Sequence, residues 1–356
     1  MRVPLDDVST LKQLDGSRAL ETTRAYASQF AEGWALGQRF VPPPLRRPLH
    51  EVVVLATGGG SAASVRLLEA YLWDALPVPL TLVQGYRLPA YVDDGSLVIA
   101  VSHSGNTEEI LTTFRESRRR GAMVVAVTAG GRLKTEAEEA GIPVCVIPGG
   151  LMPRIAVGYL FFPLLALLTY WGLIDDRSNE VEETIALVQE LAERYALEVP
   201  THRNEAKQIA LELEGRIPLI YGSDPLTGAV ALRWKNQLAE NSKVMAFANV
   251  IPHLHHDEAV GWDGPSHLLR QFHVTILRDV EDDLRTTRRQ EISAQMLRDR
   301  VGVVRVVESQ GQSRLARLFS LVCLGDWVSL YAALRQGLDP TPVAIIDLLK
   351  DKMIQE

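Results

Sequence analysis

The chain has 356 residues, of which 47% are hydrophobic and 23% charged, and its net charge is −7. These values are typical of a globular protein and exclude a disordered chain, a collagen-like fibre and a disulfide scaffold. The acidic balance argues against nucleic acid as the main partner, because nucleic-acid-binding surfaces are usually basic. The two cysteines, Cys145 and Cys323, lie far apart in apolar surroundings, which predicts buried thiols in a reducing compartment, the cytoplasm.

The predicted elements begin with a helical lead-in and continue as an alternation of strands and helices. Residues 11–40 have helical spacing, and prolines at 42–44 end the pattern. Short apolar runs, typical of buried parallel strands, then alternate with helical segments. We expect strands at 52–56, 78–83, 97–101, 123–127 and 144–147, and helices at 61–76, at 107–120 and after Gly131. This order predicts an α/β fold with a parallel sheet between helices.

The same alternation restarts in the second half of the chain. Residues 180–214 are charged, helical in pattern and poor in glycine and proline, so we interpret them as a connector. Beyond it we expect strands at 218–221, 244–251, 272–277 and 301–307, and helices ending near 242, at 283–300, at 313–336 and from 347. The predicted architecture is two doubly wound parallel-sheet subdomains joined by helices. We place a helical lead-in at 1–45, a first domain at 46–178, the connector at 179–214 and a second domain at 215–356.

One apolar stretch, residues 155–174, has the length of a membrane span and carries no charge. Pro163 interrupts it, and it has no second partner span. A helix that is apolar all round is also what a buried core or an oligomer interface requires. We therefore favour a buried helix, and we expect neither a membrane partner nor, from the polar N-terminus, a signal peptide.

The strongest local motif is Ser-His-Ser-Gly-Asn-Thr at residues 102–107, between a predicted buried strand and a helix. In an open parallel sheet, ligands bind at the carboxyl ends of the strands. Ser102, Ser104 and Thr107 offer hydroxyl donors where a helix begins, and its free N–H groups and dipole attract an anion. The alternative is a plain helix cap, which needs only one hydroxyl. The motif therefore predicts a phosphate site.

A second strand-to-helix turn, residues 57–61, reads Thr-Gly-Gly-Gly-Ser. It lacks the third glycine and the acidic residue of a dinucleotide site, and it lacks the Gly-Lys-Ser/Thr of a P-loop. Glycines here favour a close approach of a small ligand to the backbone. No nucleotide cofactor is predicted.

A polar cluster, His-Leu-His-His-Asp-Glu, occupies residues 253–258. Its spacing is close to that of zinc hydrolase ligands, but Glu258 stands where such a pattern wants a histidine. A general acid or base near neutral pH is the competing interpretation, and a solvated polar loop is the third. We predict no metal site.

Two charged residues are poorly suited to their local positions. Glu240 comes near the end of a predicted helix, where a negative charge opposes the helix dipole. Arg154 opens the apolar helix and opposes the dipole in the same way. Such conflicts are expected at functional sites, although a surface ion pair of Glu240 with Lys235 or Lys243 is the simpler alternative.

Together these pieces resemble the sugar isomerase (SIS) domain family, and within it the phosphoglucose/phosphomannose isomerases of bacteria and archaea. The resemblance covers roughly residues 45–356. It rests on the motifs above and on Gly-Gly-Arg-Leu at 130–133, Pro-Arg at 153–154, Lys-Asn-x-x-x-Glu-Asn-Ser-Lys at 235–243, Val-Gly-Trp at 260–262 and Asp-Pro-Thr-Pro at 339–342. It implies two SIS-type subdomains and a sugar phosphate as substrate.

The resemblance also implies roles for individual residues. The phosphate would be held by Gly60, Ser61, Ser102, Ser104 and Thr107. Glu240 would move a proton between C1 and C2, and Arg154 would stabilise the enediolate. His256 would open the sugar ring from the other subunit of a homodimer, Thr341 would leave room for either C2 epimer, and Lys350 would act near the ring oxygen. No cofactor is needed for this chemistry.

The His256 loop departs from the pattern of the family. His253 and Asp257 stand where Glu and Asn are expected, while His256 keeps its place sixteen residues after Glu240. Asp257 would raise the pKa of a nearby histidine. The first hypothesis is thus a metal-independent aldose–ketose isomerase that interconverts glucose 6-phosphate and mannose 6-phosphate with fructose 6-phosphate. The alternatives are a non-catalytic sugar-phosphate-binding or sensing protein, and a zinc hydrolase.

Overall fold

The N-terminal part of the chain forms three helices rather than the single helix predicted over 11–40. The computed structural model describes residues 2–46 and 48–354. These helices are α1 (Val8–Leu14), α2 (Ala19–Arg24) and α3 (Tyr26–Arg39). The break arises at Asp15, whose carboxylate accepts hydrogen bonds from the N–H groups of Ala19 and Leu20. A short acidic side chain thus binds the free donors of α2 and ends the preceding helix.

The first parallel sheet follows, as predicted. Its five strands stand in the order β2-β1-β3-β4-β5, and every neighbouring pair is parallel. The strands are β1 (Glu51–Leu55), β2 (Leu80–Val83), β3 (Ser96–Ser102), β4 (Met123–Thr128) and β5 (Val144–Val146). The helices between them are α4 (Ala63–Tyr71), α5 (Glu108–Arg119) and α6 (Gly131–Glu139). β1, β3 and β4 are buried along their whole length, as a sheet covered on both faces requires.

The second sheet has four strands in the order β7-β6-β8-β9, again all parallel. Its strands are β6 (Ile217–Ser223), β7 (Phe247–Ile251), β8 (Phe272–Arg278) and β9 (Val303–Glu308). Its helices are α10 (Leu226–Ser242), α11 (Ser266–Leu269) and α12 (Leu284–Arg298). The predicted fold class, α/β with two parallel-sheet subdomains, is confirmed.

Four helices lie between the two sheets and pack them into one body. They are α7 (Val157–Tyr170), α8 (Ser178–Arg194), α9 (Glu205–Glu212) and α13 (Arg314–Arg335). The last helix of the described residues is α14 (Ala344–Ile354). α13 packs against α8, α9 and α10, and α3 packs closely along α7. One large core therefore runs from the lead-in helices through both halves. Where the two subdomains begin and end within this packing stays a prediction.

Two apolar helices raise the question of a membrane. The predicted candidate at 155–174 contains α7, a helix of 14 residues that is almost entirely buried. α13 has 22 residues and is long and apolar enough to cross a membrane, but its apolar window is 100% buried inside the fold. Both helices therefore have the burial of core helices.

Candidate active site

The hydroxyl-rich turn between β3 and α5 is held by its own side chains. Ser102 Oγ accepts a hydrogen bond from the Gly105 N–H at 3.1 Å and lies 3.0 Å from Thr107 Oγ1. Ser104 Oγ accepts from the Asn106 N–H at 3.3 Å, and Ser104 is exposed. The Thr107 hydroxyl forms no capping hydrogen bond with the described residues of α5. The plain-cap alternative is therefore wrong, and the three hydroxyls gather at the carboxyl end of β3.

The turn between β4 and α6 forms hydrogen bonds with the hydroxyl-rich turn. The Leu133 N–H donates to the Gly105 carbonyl at 2.8 Å, and the Arg132 N–H donates to Asn106 Oδ1 at 3.1 Å. Gly105 has a φ of +68°, and a Cβ atom there would overlap the Gly130 carbonyl. Only glycine fits such a contact in the left-handed region. Hydrogen bonds and a close backbone contact from the neighbouring turn thus hold this turn in place.

His103, between two of these serines, points away from solvent. It is 6% exposed, and its Nε2 atom has no hydrogen-bond partner among the described residues. Burial lowers the pKa of His103, although a hydrogen bond with the Pro148 backbone acts in the opposite direction. The neutral ring is therefore the form that the folded chain favours.

We predict that acidification destabilises the protein through His103. The ordinary pKa of 6.5 describes the unfolded chain, and the pKa in the folded chain is lower. The stability that the neutral ring contributes is thus full above the unfolded pKa and is lost as pH falls through the folded one. Denaturant unfolding at about pH 7.5 and pH 5 should show a smaller loss for His103→Asn than for the wild type. A matched His202→Asn variant of an exposed residue should behave as the wild type does, and equal losses in all three proteins would contradict the prediction.

The glycine turn after β1 brings the backbone close to two other segments. β1 and β3 are neighbours in the sheet, so this turn and the hydroxyl-rich turn lie side by side. A Cβ atom on Gly60 would overlap the main chain of Pro153, and one on Gly59 would overlap Oε1 of Glu240. Ser61 is 5% exposed and lies within the turn, residues 58–62, that leads into α4. The absence of side chains at 59 and 60 thus allows both candidate charges to approach the turn.

Arg154 is buried where the two halves of the chain meet. It is 3% exposed and belongs to a short 3₁₀ turn before α7. Its Nε donates to Asn241 Oδ1 at 2.6 Å, and its Nη2 donates to the carbonyls of Pro340 and Thr341 at 3.0 and 2.7 Å. Its Nη1 lies 3.5 Å from Oε2 of Glu240. Burial lowers the pKa of Arg154 and the Glu240 charge partly offsets this, so the guanidinium keeps its charge.

Glu240 occupies the last turn of α10, where it faces Gly59 and Arg154. Its carboxylate does not pair with either neighbouring lysine, because Lys243 Nζ donates to the carbonyls of residues 240, 241 and 340, and Lys235 Nζ donates to Asn236. The surface ion-pair alternative is therefore wrong. Arg154 compensates the unfavourable position of this acid on its helix.

The three histidines of the 253–258 loop have different surroundings. His253 Nε2 lies 3.2 Å from Asp257 Oδ2, and His255 Nε2 lies 2.7 Å from Ser293 Oγ of α12. His256 is exposed, and no hydrogen bond or ion pair joins it to Glu240 or Arg154 in the described part of one chain. No group of three His, Cys, Asp or Glu residues within the described chain could hold a metal ion. Asp257 thus pairs with His253 rather than with His256.

The C-terminal residues contribute in different ways. Thr341 donates its N–H to Asp339 at 2.9 Å, and its carbonyl binds Arg154. Lys350 lies in α14, but its side chain is outside the described residues. Its predicted role stays a prediction.

Two residues of this site, Asn241 and Gly59, are not among those predicted from the sequence. Asn241 is 1% exposed and binds the Arg154 side chain, and Gly59 faces the Glu240 carboxylate. The spacing of Arg233, Gln237 and Asn241, each four residues apart, places three polar side chains on one face of α10. A polar row on a buried helix is a signal that could have indicated Asn241.

Comparisons with known proteins cover most of the chain. A family model described as the bacterial phospho-glucose isomerase C-terminal SIS domain matches residues 202–353. A bifunctional phosphoglucose/phosphomannose isomerase of Caldicellulosiruptor bescii is 45% identical over 303 residues, which cover 85% of this chain and 89% of the relative. The chain belongs to the bifunctional phosphoglucose/phosphomannose isomerase family.

Further matches agree with this assignment. The family member of Aquifex aeolicus is 36% identical over 276 residues, or 77% of this chain and 81% of that protein. The crystal structure of a glucose-6-phosphate isomerase like protein from Thermus thermophilus aligns with a TM-score of 0.63 at 18% identity, covering 97% of this chain and 99% of the other. That similarity supports the fold alone. The predicted family and enzyme class, a sugar-phosphate isomerase, are confirmed.

Proposed function

We propose that this chain is a metal-independent aldose–ketose isomerase. It interconverts glucose 6-phosphate and mannose 6-phosphate, the substrates in the names of its relatives, with fructose 6-phosphate through a cis-enediolate. The observation that carries the proposal is the meeting of Glu240, from the second half, with the glycine turn and Arg154 of the first half. A single carboxylate beside a buried cation has the composition that this proton transfer needs.

The phosphate of the substrate binds the two turns of the first sheet. Ser102, Ser104 and Thr107 offer hydroxyls, and Gly60 and Ser61 offer the backbone and side chain of the adjacent turn. Free N–H groups at the start of α5 add to the attraction for a dianion. Because these donors carry no permanent charge, the phosphate can leave again after turnover.

Glu240 then moves one proton and Arg154 meets the resulting charge. The carboxylate removes the proton from C2 of the open aldose, and the electron pair moves towards the C1 oxygen, giving the enediolate. The guanidinium stabilises that negative charge, which is largest in the transition state and the intermediate. The hydroxyl proton on the C2 oxygen passes to the C1 oxygen, and the same carboxyl group returns the carbon-bound proton to C1, which gives the ketose. Thr341, beside Arg154, leaves room for either configuration at C2, and Lys350 acts near the ring oxygen.

His256 opens the ring from the second subunit of a cytoplasmic homodimer. Its exposed side chain is not in contact with Glu240 within the described part of one chain. This favours a histidine that acts in the active site of the partner subunit. A symmetric dimer would then hold two sites, each with Glu240 of one subunit and the histidine of the other.

We predict that two inactive variants restore each other when mixed. A heterodimer of Glu240→Gln and His256→Ala subunits contains one site with both residues intact and one with neither. Random reassociation makes about half of the dimers mixed, so the mixture should regain about a quarter of wild-type activity. The measurement is isomerase activity after joint unfolding and refolding, with each variant refolded alone as the control. A mixture as inactive as its components would show that the histidine does not come from the partner.

The coupled isomerase assay tests the proposal as a whole. Glucose 6-phosphate and mannose 6-phosphate are each supplied, and fructose 6-phosphate is detected with and without a chelator. We expect product from both substrates and equal rates in the presence of chelator. A non-catalytic sugar-phosphate-binding or sensing protein would bind both compounds and form no product. Loss of activity with chelator would contradict metal independence.

A further inference from the structure

A buried ion pair lies next to the main chain of Arg154. Arg233 of α10 and Asp326 of α13 are each 1% exposed and form two hydrogen bonds, from Nε at 3.1 Å and from Nη2 at 2.6 Å. Tyr26 of α3, which is fully buried, donates its hydroxyl to the same carboxylate at 2.8 Å. Three helices thus meet at this pair.

The pair binds the main chain of Arg154. Nη2 of Arg233 donates to the Arg154 carbonyl at 2.9 Å, and Nε2 of Gln237 lies 3.4 Å from the same oxygen. Arg233, Gln237 and Asn241 are spaced by four, so they share one face of α10. One face of a single helix therefore holds the backbone of Arg154 at one end and its guanidinium, through Asn241, at the other.

α13 fixes both ends of that face. Asp326 orients the Arg233 guanidinium, and Ser329 accepts a hydrogen bond from Asn241 Nδ2 at 2.9 Å. The Ser329 hydroxyl in turn donates to the Asp326 carbonyl at 2.7 Å. Because Glu240 belongs to the same helix as Arg233 and Asn241, these contacts determine how Glu240 and Arg154 stand relative to each other.

Stability alone does not account for the pair. Removing two charges from water costs several kcal/mol per ion. Replacing a buried ion pair by apolar residues of similar volume therefore often leaves the stability of the fold unchanged or raises it. An apolar pair could not donate to the Arg154 carbonyl. We propose that Arg233, Asp326 and Tyr26 are positioning residues, which place Arg154 for the enediolate rather than hold the fold together. The inference rests on the proposed isomerase function of the same site.

The test replaces the pair by apolar residues of similar size, Arg233→Met with Asp326→Leu. We expect cooperative unfolding to persist and kcat to fall by about 10- to 100-fold, because a displacement of about 1 Å costs a factor of that order. The inhibition constant of inorganic phosphate should stay within about twofold, since the phosphate turns belong to the other half. A charged, phosphorylated hydroxamate, which mimics the planar intermediate, should bind at least about 10-fold more weakly by calorimetry.

The chain offers a matched control on the same helix. Arg317, near the N-terminal end of α13, and Asp279 form a second ion pair. Their side chains are 4% and 2% exposed, and Arg317 Nε lies 3.0 Å from Asp279 Oδ2. Arg317→Met with Asp279→Leu should leave kcat and hydroxamate binding unchanged. Tyr26→Phe, which removes only one hydroxyl, should lower kcat severalfold and remains informative if the double variant does not fold.

The outcomes separate the two proposals. A folded Arg233→Met/Asp326→Leu protein with wild-type kcat and hydroxamate affinity would overturn the inference, as would equal losses in the control pair or an unchanged kcat in Tyr26→Phe. A wild-type protein without isomerase activity would end the proposed function, and hydroxamate binding would still report whether the pair positions Arg154.

Discussion

Glu240→Gln is expected to reduce kcat by at least about 100-fold with both hexose phosphates, because an amide cannot accept the C2 proton and general-base catalysis contributes about 10²–10⁴-fold. Gln has the shape of Glu and can still accept a hydrogen bond from Arg154, so the fold and the phosphate site should survive. The inhibition constant of inorganic phosphate should therefore change little. Steady-state kinetics with each substrate measures both effects.

The control for this variant is another acid at the edge of the same half. Glu308 is exposed and pairs with Arg278 at 3.1 Å rather than with Arg154, so Glu308→Gln should keep wild-type kcat. Exchange of the C2 hydrogen of the substrate for deuterium from the solvent gives an independent measurement. This exchange needs the base even when no product is released. A Glu240→Gln protein that still exchanges this proton at the wild-type rate would exclude Glu240 as the base.

Gly59→Ala should lower kcat by about 100-fold while the protein stays as stable as the wild type. The added Cβ would overlap Oε1 of Glu240, and the end of that side chain can move aside at little cost to folding. The moved carboxylate no longer faces the substrate carbon, and about 1 Å of misplacement is enough for such a loss. Gly59 is not in the left-handed region, so alanine introduces no backbone strain there.

Two other glycines provide the comparison. No described atom lies within 4 Å of a Cβ placed on Gly85, so Gly85→Ala should change neither kcat nor the stability of the protein. Gly60→Ala would overlap the main chain of Pro153, which cannot move aside cheaply, and should lower stability as well as activity. Thermal unfolding midpoints within about 2 °C for Gly59→Ala and the wild type, together with the kinetics, check the prediction. Full activity of Gly59→Ala would show that the carboxylate does not work from this position.

The Arg154 contacts explain how one site depends on both halves of the chain. The guanidinium comes from the segment before α7, but its hydrogen-bond acceptors belong to α10 and to the residues before α14. Leaving a buried guanidinium without such acceptors would be costly, so the packing of the two halves and the position of the cation are coupled. The helices between the sheets are therefore part of how the site is built.

The amino-acid sequence by itself determined the α/β class, the two parallel sheets and the hydroxyl-rich turn at 102–107. These features follow from local patterns, namely buried apolar runs that alternate with helical periodicity and serines at the end of a strand. The sequence also marked Glu240 and Arg154 as locally unfavourable, because a charge that opposes a helix dipole is visible without coordinates.

Only the tertiary structure decided which groups meet. Arg154 and Glu240 are 86 residues apart, and Arg233 and Asp326 are 93 apart, so no local pattern relates their side chains. The same holds for Gly59, whose importance arises from a carboxylate supplied by a distant helix. The break at Asp15 shows that local structure, too, is not always predictable from periodicity. Helical spacing continues across Asp15, but its side chain caps α2 and the preceding helix ends there. Contacts between distant segments depend on how whole helices and sheets pack. Periodicity along the chain does not predict that packing, because it reports only which face of each element is apolar.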